Sequence, residues 1–176
     1  MEPYELLISL RAVRHFTSQP VPDEVLERIL EAARWTGSAK NSQPWQFVVV
    51  RNRATLQQLS AFGKYASHLG GASLGVVLVI PPGYALFDAG RTTQNMMLAA
   101  WNDGVGSCIA TLSEENKVRA LLGIPDGFQA QTAISFGYPM PDAPRTIEGL
   151  PREQVLVSTG RRALGELVHW EHWRSD

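Results

Sequence analysis

Asp88-Ala89-Gly90-Arg91-Thr92-Thr93-Gln94-Asn95-Met96-Met97-Leu98-Ala99-Ala100 is the stretch on which the fold turns. Within residues 85–103 a helical pattern carries Phe87, Met97, Leu98 and Trp101, and small Ala89, Gly90, Ala99 and Ala100 permit close approach of another element. The spacing predicts a long helix in the middle of the fold. On its N-terminal side Leu74 to Ile80 reads as a buried strand, ended by Pro81, Pro82 and Gly83. Further back, Gln46 to Val50 reads as a second strand, and both are expected to be central. Pro22, Asp23 and Glu24 open a helix whose Val25, Leu26, Ile29, Leu30 and Ala33 recur at helical spacing up to Gly37. On the C-terminal side, Ser113 starts a short helix ending at Leu122 with Gly123 as its cap, and Gln131 to Phe136 supplies a further strand.

Beyond Gly137 the texture changes. Pro139, Pro141, Pro144 and Pro151 keep the chain extended, so 138–176 is expected to form an arm rather than core. The arm ends in Gly160 to Trp173, where Arg161, Arg162, Trp170 and Trp173 lie. At 176 residues the chain fits one domain, and a formal net charge of −1 gives no global field for nucleic acid or an anionic membrane. The one cysteine, Cys108, sits in an apolar stretch and makes no intramolecular disulfide, which favours a reducing compartment. With no leader pattern and no apolar run of bilayer length, a cytoplasmic protein is expected.

Several familiar motifs fail on context. Gly71-Ala72-Ser73-Leu74-Gly75 matches a nucleophile elbow, but the strand follows the serine instead of preceding it. Gly104-Val105-Gly106 lacks the third glycine of a dinucleotide fingerprint. His169 and His172 stand three apart without a cysteine or carboxylate pair to complete a zinc sphere, so no metal is expected.

Two segments carry candidate chemistry. Arg11 and Arg14, with Phe16 behind them, place two guanidinium groups where they can converge on one anion, on a helical turn or just beyond a helix end; solvated surface arginines are the other account. Ser38-Ala39-Lys40-Asn41-Ser42-Gln43-Pro44-Trp45 supplies uncharged donors and acceptors suited to ribityl hydroxyls and heterocycle edges, although a loop and a helix cap would have the same composition.

Taken in order, these segments resemble the nitroreductase family. The likeness runs through Arg11 to Phe16 (R-x-x-R-x-F), Asn41 to Trp45 (N-x-Q-P-W), Gln94 to Ala100 (Q-N-x-x-L-A-A), Gly104 to Cys108, Leu121 to Pro125, Gly137 to Pro139, and Gly160-Arg161. It implies an α+β fold with a mixed, mostly antiparallel central sheet flanked by helices, in an intertwined homodimer with FMN at the interface and the C-terminal arm over the partner. It also implies roles: Arg11 and Arg161 on the FMN phosphate, Arg14 near the pyrimidine side of the ring, and Ala12 contributing backbone. Gly37, Ser38, Ala39, Asn41 and Gln43 would reach the cofactor across the interface. Ile109, Ala110, Thr111 and Leu112 would lie along the ring and offer a backbone N–H toward N5.

The implied activity is reduction of an organic acceptor (a nitroaromatic, quinone or activated alkene) by NADH or NADPH through the flavin in a ping-pong cycle, with the nicotinamide stacking on the exposed ring. Leu10 and Ala12 depart from the family pattern, where many relatives carry a basic residue and a serine, and Ile109 to Leu112 replaces a glycine-rich stretch. Two other readings share these residues: a flavin-binding carrier or redox-responsive protein without turnover, and a relative that uses deazaflavin.

Overall fold

The computed structural model describes residues 2–83, 86–141 and 159–173. The chain forms two compact units, 1–144 and 145–176. In the first, the elements run α1 (Pro3–Ser9), α2 (Asp23–Arg34), β1 (Gln46–Val50), α3 (Arg53–Ser60), β2 (Leu74–Ile80), α4 (Leu86–Asn102), β3 (Gly106–Thr111), α5 (Glu115–Leu122) and β4 (Gln129–Gly137). A four-stranded sheet in the order β1-β2-β4-β3 pairs antiparallel throughout. This is the expected α+β arrangement, and among the described residues parallel pairing is confined to an isolated bridge between Ala12 and Ser107.

The sheet separates two cores. Val25, Ile29 and Ala33 recur every fourth residue, so they share one face of α2; they pack with Met96, Met97 and Ala100 of α4 on Val76, Ile134 and Phe136. On the opposite face Leu56 and Leu59 of α3 and Val118 of α5 cover Val77, Ala110 and Ala133. Alternation along each strand sends Val76 to one core and Val77 to the other. All seven residues of β2 are buried, which is why this strand reads as a continuous apolar run.

The α2, β1, β2 and α4 readings agree with the structure, and β4 and α5 differ only at their ends: β4 begins at Gln129 and α5 at Glu115 rather than Ser113. Three features differ more. Among the described residues β1 is an edge strand, not a central one, and Val48 and Val49 are only half-buried. β3 was not apparent in the sequence because Gly106, Ser107, Cys108 and Ala110 offer small side chains and no apolar run; pairing with β4 makes it a strand. α3 rests on two apolar anchors and on Asn52, whose side chain accepts the Thr55 N–H at 3.0 Å.

Gly106 is needed for close approach rather than for nucleotide binding. A Cβ there would stand 2.7 Å from the Cβ of Val13. Ser73, the serine of the apparent elbow, accepts the Val21 N–H at 2.8 Å and precedes β2, which gives it a structural part. In the second unit Leu164–Glu166 forms a 3-10 turn, Arg162 pairs with Glu166 at 3.1 Å, and the His169 and Trp173 rings stack with centroids 4.2 Å apart. Residues 142–158 and 174–176 of the expected arm lie outside the described residues, as does Ala85 at the start of the expected central helix. Among the described residues no helix is long and apolar enough to cross a membrane.

Candidate functional site

The N-terminal arginines lie just past the end of α1. The chain there runs extended beside β3: the Val13 N–H donates to Ser107 O at 2.9 Å, and buried Val13 anchors the segment over Gly106. Alternation about Val13 turns Ala12 and Arg14 outward, and both are exposed. Arg11 is half-buried, and its Nη1 donates to Ile8 O at 2.8 Å and Leu10 O at 2.7 Å, so its head is held at the C-terminal end of α1. The Arg14 guanidinium lies near enough to Cys108 and His68 for its charge to act on both. Among the described residues no carboxylate forms an ion pair with it.

Beyond Ser107 the outer edge of β3 has no strand paired to it among the described residues. The Leu112 N–H donates to Gln131 O at 2.8 Å, so alternation turns the main-chain groups of Cys108, Ala110 and Leu112 toward β4 and those of Ile109 and Thr111 toward the open edge. Ile109 is 47% exposed, Thr111 is exposed, and Ala110 and Leu112 are buried. Behind this edge lies a buried polar cluster. His68 Nδ1 is 2.7 Å from Ser135 Oγ, which donates to Cys108 O at 3.3 Å. Burial and then the Arg14 charge push the His68 pKa down, with the Ile109 backbone opposing; burial pushes the Cys108 thiol up, with Arg14 opposing.

The polar loop between α2 and β1 is strained. Lys40, Asn41 and Gln43 have φ of 53, 54 and 46°, in the left-handed region that favours glycine. Each costs on the order of 1 kcal/mol or more, and such conformations persist only where surrounding contacts enforce them. Those contacts are present. Arg91 Nη1 donates to Gly37 O at 2.7 Å, Asn95 Nδ2 donates to Thr36 Oγ1 at 2.8 Å, and Ser38 Oγ accepts the Gln43 N–H at 2.9 Å. Pro44 and Trp45 are buried behind the loop, while Gly37, Ala39, Asn41 and Gln43 are exposed and Ser38 is half-buried.

Arg91 and Asn95 were assigned only to a core helix by sequence, yet they act as loop anchors. Their i, i+4 spacing puts both on one helix face, which was the available signal. Asn95→Ala leaves the Thr36 hydroxyl without its donor and is expected to raise amide exchange of residues 37–43 about tenfold, while Asn95→Asp, which accepts from the same hydroxyl, keeps exchange near its original rate. Unchanged exchange in Asn95→Ala would remove the anchor role.

The two candidate segments do not converge within one chain. Ala12 sits outside β3 opposite Ser107, which registers through Phe136 with Leu74 at one end of β2; Gln46 opens β1 on the other edge, opposite Val79 near the other end of β2. Four strand spacings of about 4.8 Å across and five residues of about 3.3 Å along place them about 25 Å apart on the diagonal. Arg161 is exposed in the second unit.

A four-stranded antiparallel sheet between two helical layers, with arginines on one edge and a strained polar loop at the opposite corner, defines an α+β frame. Residues 9–66 and 64–138 match the nitroreductase family, and the chain belongs to that family of oxidoreductases. It is 32% identical over 149 residues to an Archaeoglobus fulgidus protein provisionally named NADH dehydrogenase/NAD(P)H nitroreductase, covering 78% of this chain and 86% of that one. A Thermus thermophilus NADH dehydrogenase is 29% identical over 189 residues, covering 84% and 91%. In fold it is similar to an FMN-dependent nitroreductase of Clostridium difficile R20291, with a TM-score of 0.81 at 22% identity over 97% of this chain and 99% of that one.

Proposed function

We propose that this chain is an FMN-dependent oxidoreductase in which two copies share each cofactor site, with NADH or NADPH as donor and a nitroaromatic, quinone or activated alkene as acceptor. The observation that carries the reading is the separation of the two candidate segments. One small ligand meets both the Arg11–Arg14 edge and the Gly37–Gln43 loop only if the loop comes from a second copy. The donor set fits the cofactor. Arg14, without a carboxylate partner among the described residues, suits the electron-rich pyrimidine side of the ring, and the outward Ile109 N–H suits an acceptor atom at its edge. Arg11 and Arg161 would take the phosphate, Ala12 would let the backbone approach, and Ala110, Thr111 and Leu112 would line the ring with Ile109.

When bound, FMN supplies the two-electron redox chemistry, and the fold supplies binding, orientation and charge. Loading the protein with FMN and adding NADH or NADPH under argon is expected to bleach the flavin, and an acceptor added afterwards restores its colour, the two half-reactions of a ping-pong cycle. An inert flavin would leave a carrier in place of an enzyme, and mass spectrometry of the cofactor released from cells separates FMN from a deazaflavin. Arg161→Ala is expected to weaken FMN binding by about one to two orders of magnitude, the worth of a charge-assisted hydrogen bond of about 1.5–3 kcal/mol, and to leave riboflavin binding nearly unchanged. An equal loss for both ligands removes Arg161 from the phosphate.

A further inference from the structure

His68 is 5% exposed, and its Nε2 has no hydrogen-bond partner among the described residues. A buried imidazole with one idle nitrogen is costly unless the other nitrogen has a task. The contacts of Nδ1 suggest that task. Ser135 Oγ lies 2.7 Å from His68 Nδ1 and 3.3 Å from Cys108 O; with the hydroxyl proton on Cys108 O, its lone pair meets Nδ1 and the imidazole is the donor there. His68 is then neutral with its proton on Nδ1, in keeping with a pKa held down by burial and by Arg14.

Cys108 C=O and Ile109 N–H belong to one peptide unit. A planar trans peptide points its carbonyl and its N–H in opposite directions, so while Cys108 O faces β4 the Ile109 N–H faces the open edge. Donation to the carbonyl draws density from the peptide and strengthens the N–H as a donor, and a donor chain does so cooperatively. We propose that His68 and Ser135 form a relay, His68 Nδ1–H to Ser135 Oγ–H to Cys108 C=O, that polarises the Ile109 N–H presented at the free edge of β3. His68 and Ser135 are thus positioning residues for a donor aimed at the ring of the cofactor. The relay rests on the reading of this edge as the flavin site only for what it acts upon; its existence does not depend on that reading.

Two measurements separate these levels. In the cofactor-free protein, Ser135→Ala and His68→Leu are expected to move the Ile109 amide proton upfield. His68→Asn, whose side-chain amide replaces the Nδ1–H, is expected to hold it near its original position. Thr92→Val, which removes another buried and unpartnered hydroxyl, on α4, is the control and leaves it unmoved. In titrations with oxidised flavin, Ser135→Ala and His68→Leu are expected to lower affinity about two- to fourfold, equally for FMN and riboflavin because the ring and not the phosphate is concerned. An Ile109 amide unmoved in Ser135→Ala, or moved as far in His68→Asn as in His68→Leu, overturns the relay. An amide that moves while flavin affinity stays constant upholds the relay and overturns the placement of the ring on this edge.

Discussion

Two variants that each fail to bind FMN, one carrying Arg11→Ala with Arg14→Ala and the other Asn41→Val, are expected to recover binding when mixed and allowed to exchange subunits. The first lacks the cationic edge. The second places a β-branched residue at φ 54°, where it clashes with its own backbone and displaces the loop. If each site takes its edge from one copy and its loop from the other, a mixed dimer has one site with both defects and one with none. Random association makes about half of the dimers mixed, so about a quarter of all sites bind again. Gain of function from two defective proteins is hard to produce by any indirect effect on folding. Native mass spectrometry identifies the mixed dimer and its FMN occupancy directly. Mixed dimers that form and stay empty would place the site within one chain, and the loop would then lose its part in it.

Gly63→Ala is expected to be the most destabilising single methyl in the described part of the chain. A Cβ at Gly63 would overlap the carbonyl oxygen of Thr111, which is backbone and cannot swing aside as a flexible side chain would. The Glu114 N–H donates to Phe62 O at 3.1 Å, so the 61–66 turn is also tied to the start of α5. Relief therefore requires the turn to lift from the β3 edge or the edge to bend. Overpacking of this kind costs about 2–3 kcal/mol, and for a chain of this length that corresponds to a fall of about 5–10 °C in melting temperature. Gly71→Ala, where nothing lies within 4 Å, is the matched control and is expected to change stability little. A Gly63→Ala protein that melts with the parent would mean that the turn does not pack on Thr111 in solution. Because the same edge carries Ile109, flavin affinity is expected to fall together with stability, whereas Gly71→Ala leaves both in place.

What the sequence determined was set by periodicity and by residues with unusual backbone rules. Val25, Ile29 and Ala33 at four-residue spacing, the unbroken apolar run of β2 and the prolines after Ile80 each specify a local conformation that needs no distant partner to recognise. The ordered set of short motifs from Arg11 to Pro139 likewise sufficed for the family, because their combination is far rarer than any member. Tertiary structure decided the rest, wherever the cause of a conformation lies far along the chain. β3 is a strand because β4 pairs with it and Val13 packs over Gly106, and small side chains carry no trace of either neighbour. Lys40 and Gln43 adopt left-handed backbone because Arg91, Asn95 and Ser38 hold the loop, not because lysine or glutamine favours it. His68 gains a partner 67 residues away, and through it a line to the Ile109 peptide, only once the sheet face has closed over Ser135. Long-range hydrogen bonds of this kind have no period and no local composition, so their register is settled only when the two cores assemble on either side of the sheet.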